Sequence, residues 1–229
     1  MSESTLALKF LDAGAVGPYS AFRWPKPRGS RPGKWGRVNG DLDRCKRGIH
    51  ACTFAQATRW LREECYVIEL RDVVSDDGQK LLARSGRLVR RVDGWDQQAM
   101  VRFAADCAAH VLPIFEKQYP KDDRPRKAIR AARKWARSPS EKNAAARAAY
   151  AAPAAADGGA YAAYADAARA AYAAAYAADA AAAADAAYAA AARAAYAADA
   201  ADAADAADEK RAWQVKRLRH YIKAPEVAT

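Results

Sequence analysis

The sequence predicts an α+β protein, in which a small N-terminal mixed β domain with one helix precedes an all-α, alanine-rich helical bundle. Alternating apolar and polar runs occur before residue 95, and helical spacing of apolar residues dominates after it. Residues 143–208 consist almost entirely of alanine, with tyrosine and aspartate at intervals. Alanine loses no side-chain entropy in a helix. We therefore expect an α+β domain at 1–95, a helical bundle at 96–223 and a tail at 224–229.

The N-terminal domain is predicted to follow the order β, loop, β, α, β, β. The strands are expected at 5–12, at the short apolar run 48–52, at 65–70 and at 80–92, with Gly86 breaking the last into one or two strands. Thr53 is placed as the N-cap of a helix at 54–64, because Phe54, Ala57, Trp60 and Leu61 fall on one helical face. Residues 25–40 are predicted to form a long basic loop, because proline and glycine interrupt them repeatedly.

Helices are predicted throughout the C-terminal part. The first begins near residue 97 and kinks or ends at Pro113, and the second begins at Asp123 or Arg124. Residues 160–223 contain neither glycine nor proline, and as one helix they would span about 96 Å at 1.5 Å per residue. Because alanine offers little apolar area to bury, we expect several shorter helices turned at aspartates, with the last at 209–223.

Charge is distributed unevenly along the chain. The 38 Lys and Arg residues exceed the 27 Asp and Glu residues, which gives a net charge of +11. The excess lies in two basic segments, 20–47 and 117–149, whereas 157–208 is acidic. Basic segments attract phosphate backbones or acidic proteins. The alternative is a solvated surface that partly neutralises the acidic helices of the same chain.

Two sets of cations are candidates for binding. The loop set combines basic residues with Trp24 and Trp35, which either stack on nucleic-acid bases or anchor the loop to its own domain. This set, predicted to bind nucleic acid or another anion, is Arg23, Lys26, Arg28, Arg31, Lys34 and Arg37. The second set, predicted to bind a protein partner, is Arg124, Arg126, Arg130, Arg133 and Lys134.

A catalytic site, if the chain is an enzyme, is predicted in the N-terminal domain. His50 and Glu69 would form an acid–base pair, with Tyr66 and Arg23 beside them. The alternative role for His50 is that of a core histidine bonded to a backbone carbonyl. The chain contains no complete catalytic constellation, which favours a non-enzymatic role, and we expect no cofactor.

Cysteine usage predicts neither a disulfide framework nor a metal site. Cys45, His50, Cys52 and Cys65 have spacings that match no common zinc module, so no metal is predicted. The N-terminus lacks the pattern of a signal peptide, and recurring aspartates exclude a membrane span from the alanine tract. We therefore expect a cytoplasmic protein with reduced thiols and no membrane partner.

The C-terminal half resembles a bacterial family of immunity proteins. The residues that carry the resemblance are CAAHVLPIFEKQYPKDDRPRKAIRAARKWARS (107–138), the Ala/Tyr-rich tract and AWQVKRL (212–218). It covers about 96–223. The resemblance implies a compact bundle of alanine-rich helices that binds a protein partner, a toxin or effector, and that catalyses no reaction.

The N-terminal half resembles an uncharacterised domain of bacterial and phage proteins over roughly 7–93. The shared residues are Cys45, the GIHAC core at 48–52, YVIE at 66–69 and DGQKLLAR at 77–84. A looser similarity to ADP-ribosyltransferase-like folds rests on Ala57, Trp60 and the strand 66–70, but the opening strand motif and the paired glutamates are absent. The leading hypothesis is therefore an immunity-like interaction protein. The alternative is a nucleic-acid-binding protein or an ADP-ribosyltransferase-like enzyme centred on the N-terminal domain.

Overall fold

A computed structural model describes residues 4–44, 46–118, 120–140 and 204–227. The chain divides into two compact units. The first, the sheet unit, comprises Met1–Trp95 with Ile222–Thr229, and the second, the helical unit, comprises Asp96–Tyr221. The domains predicted at 1–95 and 96–223 are parts of the chain that would fold independently, and these boundaries stay a prediction.

The sheet unit is built on antiparallel strands. Its strands are β1 (Ser4–Leu11), β2 (Gly36–Arg37), β3 (Ile49–Ala51), β4 (Glu64–Asp76) and β5 (Leu81–Arg91). The order is β1-β4-β5-β2, and β3 also pairs with β5. All of these pairings are antiparallel. The runs that alternate apolar and polar residues thus form the long strands, because alternation places one set of side chains on the inner face.

The sheet curls back on itself where β3 ends. Leu8 of β1 and Cys52 exchange two backbone hydrogen bonds of 2.8 and 2.9 Å. Because β1 also pairs with β4, and β5 pairs with both β4 and β3, the four strands enclose a core. The core consists of Ala7, Leu11, Ala15, Trp24, Ile49, Ala51, Tyr66, Ile68, Leu70, Leu81, Ala83 and Leu88.

The predicted helix at 54–64 is wrong. Only Ala57–Arg59 form a single 3-10 turn, and β4 begins at Glu64. The Gln56 side chain accepts a hydrogen bond from Thr53 N at 3.0 Å and donates to Asp76 at 2.7 Å. Side-chain bonds to distant residues therefore hold this segment in an irregular path, and tertiary contacts override its helical pattern.

The predicted break at Gly86 is also absent, because β5 runs continuously from Leu81 to Arg91. Gly86 pairs with Leu70 on one side and with Gly36 on the other. A Cβ atom at Gly86 would lie 3.1 Å from side-chain atoms of both Ile49 and Leu70. The glycine thus makes room for core side chains and leaves the strand intact.

The helical unit contains α1 (Gln97–Gln118), α2 (Arg124–Arg137) and α3 (Ala204–Tyr221). Asp96 caps α1 by accepting a hydrogen bond from Ala99 N at 2.7 Å. Helix α1 continues through Pro113 to Gln118, so this proline does not end it. Helices α1 and α2 pack through apolar residues at helical spacing, namely Val101, Ala105, Ala108 and Leu112 against Ile129, Ala132, Trp135 and Ala136.

These elements correct the predicted fold class. Within 4–44 and 46–95 there is an antiparallel sheet and no α-helix, so the predicted α+β domain with one helix is wrong. The predicted alanine-rich bundle falls mostly on 141–203, which lie outside the described residues. Helical structure is described at α1, α2 and α3 only.

A close approach of backbone fixes the base of the basic loop. Trp24 N donates to Ala15 O at 2.9 Å, and Gly33 N donates to Leu88 O at 2.8 Å. A Cβ atom at Gly33 would lie 2.1 Å from Pro25 O. Only glycine therefore lets the two ends of the segment 25–33 meet.

We expect Gly33→Ala to lower the free energy of unfolding by about 1–3 kcal/mol, because a backbone atom has to move to admit the methyl group. Gly36→Ala is the matched control, since its Cβ would make ordinary contacts at 3.6–3.9 Å. The control should change stability by less than about 0.5 kcal/mol. Thermal and urea denaturation of both variants measure the difference. Equal stability of the two variants would contradict the close approach at Gly33.

Candidate functional site

Near the start of α2, two of the five cations predicted to bind a partner already bind carboxylates of this chain. Arg124 donates to Asp122 through Nε and Nη2 at 2.9 and 2.7 Å. Arg126 donates from Nε to Glu116 Oε1 at 2.8 Å. Both arginines thus bind carboxylates of the same unit, which leaves less of their charge available to a partner.

A third cation, Arg133, belongs to a cluster that joins all three described helices. The Asp106 cluster consists of Asp106 on α1, Arg133 on α2, and Arg217 and Tyr221 on α3. Arg133 Nη2 donates to Asp106 Oδ1 at 2.8 Å, Arg217 Nε to Oδ2 at 2.7 Å and Tyr221 OH to Oδ2 at 2.6 Å. The Asp106 side chain is only 11% exposed. One carboxylate therefore receives donors from two other helices.

The protonation states in the Asp106 cluster follow from these contacts. Burial acts to raise the pKa of Asp106, but the hydrogen bonds donated by Tyr221, Arg217 and Arg133 outweigh it and hold that pKa below its usual range. Burial and the hydrogen bond to Asp106 raise the pKa of Tyr221 to about 12. At neutral pH the cluster therefore contains a carboxylate and a protonated phenol.

Arg130 and Lys134, the last two of the set, lie on the exposed side of α2. Neither forms an ion pair with any residue that the structure describes. The opposite side of α2 is buried, as Ile129 and Trp135 show at 3% and 8% exposure. The helix thus presents two cations one turn apart, and we call Arg130 and Lys134 the α2 cation pair.

His50 and Glu69, the predicted acid–base pair, lie apart. His50 is in register with Leu82 on β5, whereas Glu69 is in register with Arg87, five positions further along the strand. At about 3.4 Å per residue this separation is roughly 17 Å. His50 Nε2 donates to Arg44 O at 2.8 Å, and Glu69 accepts from Arg87 Nε at 2.7 Å. Each side chain therefore has its own partner.

Tyr66 and Arg23, the remaining predicted catalytic residues, also have separate surroundings. Tyr66 is 2% exposed and donates its hydroxyl to Glu64 at 2.9 Å, whereas Arg23 is exposed. Glu64 also accepts from Ala15 N at 2.8 Å and lies 3.4 Å from Arg91. The structure thus ties Tyr66 to Glu64, which sequence reasoning missed. Catalytic roles for the four residues stay a prediction.

Lys9 is a second group that sequence reasoning missed. Its Nζ donates to His50 O at 2.6 Å and lies 5.4 Å from the centre of the Trp24 ring. Burial lowers the pKa of Lys9 to about 8. Burial, followed by the positive charge of Lys9, lowers the pKa of His50 as well. The alternation of side chains along β1 could have identified Lys9 as buried, because Lys9 shares a strand face with the core residues Ala7 and Leu11.

The three cysteines that the structure describes belong to no group with the geometry of a metal site. Cys52, Cys65 and Cys107 are free and buried. Burial raises the pKa of Cys52 to about 12 and raises the pKa values of the other two thiols. Among the residues that the structure describes, no group of three or more His, Cys, Asp or Glu side chains has the geometry to hold a metal. Cys45 lies outside the described residues.

The six predicted anion-binding residues of the basic loop are all exposed. The structure places Arg23, Lys26, Arg28, Arg31, Lys34 and Arg37 at the surface. The two tryptophans are not available in the same way. Trp24 is only 8% exposed, and the guanidinium groups of Arg71 and Arg87 lie 4.3 and 4.7 Å from the centre of the Trp35 ring. Both indoles therefore contact residues of the sheet unit, as the anchoring alternative predicts.

The helical unit thus packs α1 against α2 and exposes the α2 cation pair on the other side of α2. Residues 91–221, more than half of the chain, match the family described as "Imm-5 like putative immunity protein", and the chain belongs to this family. The resemblance of the C-terminal half is thereby confirmed. The match does not extend over most of the sheet unit, so the resemblance stated for 7–93 stays a prediction.

No curated protein and no solved structure matches the chain significantly. None of the helices among the described residues combines the length and the apolar character that crossing a membrane requires.

We expect Asp106→Asn to lower the free energy of unfolding at pH 7 by about 1.5–3 kcal/mol, because charge-assisted hydrogen bonds are lost. The folded pKa of Asp106 is depressed, so its contribution is present above the unfolded pKa of about 3.9 and is lost as the pH falls through the folded value. The difference between wild type and variant should therefore shrink below about pH 4.

Urea denaturation followed by far-UV circular dichroism at several pH values measures this effect. Asp123→Asn is the control, because Asp123 is 61% exposed in its ion pair with Lys127 and should contribute less than about 0.5 kcal/mol. Equal losses in the two variants at pH 7 would contradict the role assigned to the Asp106 cluster.

Proposed function

We propose that this chain is an immunity-type protein that binds a protein partner, a toxin or effector, and catalyses no reaction itself. We further propose that the partner docks on the α2 cation pair. The observation that carries the proposal is the family match over 91–221, which contains α2. The free, buried thiols of the described residues are consistent with action in a reducing compartment, which we take to be the cytoplasm.

The geometry of α2 supports this choice of surface. The helix is held on one side by apolar packing against α1, and Arg133 is held by Asp106. Arg130 and Lys134 stand on a helix whose rotation is thereby fixed, so little conformational freedom of the backbone is lost when a partner binds. Because these two cations form no ion pair with a described residue, binding a partner would not require breaking one.

The chemistry of the pair indicates an acidic partner surface. Arginine and lysine bind carboxylates, and charge complementarity accelerates encounter and excludes partners of like charge. The net charge of +11 would steer an acidic protein towards this chain over distances of about one Debye length, roughly 8–10 Å at physiological salt. We therefore expect carboxylate groups on the partner opposite Arg130 and Lys134.

Co-expression with the product of the adjacent gene tests the function. We expect that protein to inhibit growth of a bacterial host when it is produced alone, and this chain to restore growth. The two purified proteins should form a stoichiometric complex. Growth inhibition that this chain does not relieve, together with the absence of a complex, would refute the immunity role.

Charge reversal tests the surface. We expect the double variant Arg130→Glu/Lys134→Glu to weaken binding by about 10- to 100-fold and to lose protection, because carboxylates would face carboxylates. Isothermal titration calorimetry and the growth assay measure the two effects. The control is Arg28→Glu/Arg31→Glu, which changes the net charge equally on the other unit and should retain binding. Equal losses in both variants would show a general charge effect and would exclude the α2 cation pair as the docking site.

A further inference from the structure

The loop that follows Trp24 is mostly exposed and closes on itself at both its base and its tip. We call residues 25–34 the basic finger. Its ends are fixed by the buried Trp24 and by the bond from Gly33 N to Leu88 O, and they meet where Gly33 contacts Pro25. The finger is thus a built element with a defined base.

The tip of the basic finger is closed by backbone hydrogen bonds and is exposed to solvent. Arg28 and Arg31 exchange two backbone hydrogen bonds of 2.9 and 3.0 Å. Gly29 between them has φ +56°, and a Cβ atom built there would meet no heavy atom within 4 Å. Prolines 25, 27 and 32 restrict the backbone on both arms. The two arginines are therefore held side by side on a protruding turn.

The charge of the basic finger is not neutralised locally. Lys26, Arg28, Arg31 and Lys34 are exposed, and none forms an ion pair with a residue that the structure describes. No acidic residue occurs in the sequence between Asp12 and Asp41. Four cations in ten residues repel one another, so a polyanion that bound there would relieve this repulsion and be attracted by each cation.

The composition of the basic finger favours phosphate over the surface of a protein. The centres of protein interfaces are enriched in aromatic and apolar anchors, and residues 25–34 contain only cations, proline, glycine and one serine. A repeating anion requires no such anchor, because nucleic acids are bound non-specifically through their phosphates alone.

The positions of the tryptophans favour a duplex over a single strand. Proteins bind single strands by stacking bases on exposed aromatic rings. Trp24 is buried in the core, and the guanidinium groups of Arg71 and Arg87 lie 4.3 and 4.7 Å from the centre of the Trp35 ring. A duplex, by contrast, presents phosphates along both strands, and cations bind them without a stacked ring.

We propose that the basic finger, through Lys26, Arg28, Arg31 and Lys34, binds the phosphodiester backbone of double-stranded nucleic acid without reading its sequence. This activity belongs to the sheet unit and is separate from the protein partner of the helical unit. Up to four phosphate contacts give a salt dependence of log K on log salt of about −3.6.

Fluorescence anisotropy with a labelled DNA duplex of about 20 base pairs and arbitrary sequence tests the proposal on the full chain. We expect binding to weaken roughly 100-fold between about 50 and 200 mM salt. The variant Arg28→Gln/Arg31→Gln should bind about 10- to 100-fold more weakly at the lower salt, with a slope reduced by about 2. The charge-matched control Arg130→Gln/Lys134→Gln should bind as wild type does.

Two further measurements distinguish DNA from RNA as the ligand and charge from side-chain identity as the cause of binding. An RNA duplex of the same length binds through the same chemistry, and the tighter of the two duplexes identifies the natural ligand class. The variant Arg28→Lys/Arg31→Lys keeps the charge and should retain binding within about threefold. Far-UV circular dichroism of the Arg28→Gln/Arg31→Gln variant checks that it folds as wild type does.

Three results would overturn the proposal. The first is no duplex binding at the lower salt. The second is equal weakening in the finger variant and the α2 control, which would indicate net charge alone. The third is displacement of the duplex by poly-glutamate at matched charge, which would assign the finger to acidic proteins. Each of these outcomes leaves the growth assay of the immunity role unaffected, so the two proposals fail separately.

Discussion

The Asp106 carboxylate is the contact on which the described part of the helical unit depends. It accepts hydrogen bonds from α2 and α3 while it lies on α1, so its charge fixes three helices at one point. The apolar contacts between α1 and α2 combine four alanines with Val101, Leu112, Ile129 and Trp135. The hydrogen bond from Arg133 to Asp106 adds a directional contact to this packing. Arg130 and Lys134 lie exposed on the same helix.

In the sheet unit, too, buried or half-buried carboxylates bind neighbouring cations and hydrogen-bond donors. Glu64 is held by Ala15 N, Tyr66 and Arg91, and Glu69 is held between Arg87 and Arg71. The cations and the phenol that these carboxylates bind are therefore less available to a ligand. The cations of the basic finger are among those left over, and no carboxylate is near them in the sequence. Local pairing, rather than net charge, therefore shows which of the described cations already have a carboxylate partner.

Sequence reasoning predicted the elements that depend on neighbouring residues. The strands around 5–12, 65–70 and 80–92 and the start of α2 at Arg124 follow from local periodicity, and the structure contains them. The segment 54–64 was predicted wrongly because its path depends on Gln56 binding Asp76, 20 residues away. The Asp106 cluster was missed for the same reason, because Arg133 and Arg217 lie 27 and 111 residues from Asp106 in the sequence. The binding role of the α2 cations stays a prediction.

Two cationic surfaces on separate units place different demands on a ligand. The α2 cation pair lies on a helix face that is regular and packed, so it suits a partner whose carboxylates are fixed at matching positions. The basic finger is a narrow turn with charges on both arms, so it suits a ligand whose anions repeat along a line and tolerate sliding. A single acidic protein would have to satisfy both geometries to use both surfaces. Under the two proposals, a protein partner and a polyphosphate ligand would bind different cations, each on the surface whose shape matches its own arrangement of negative charges.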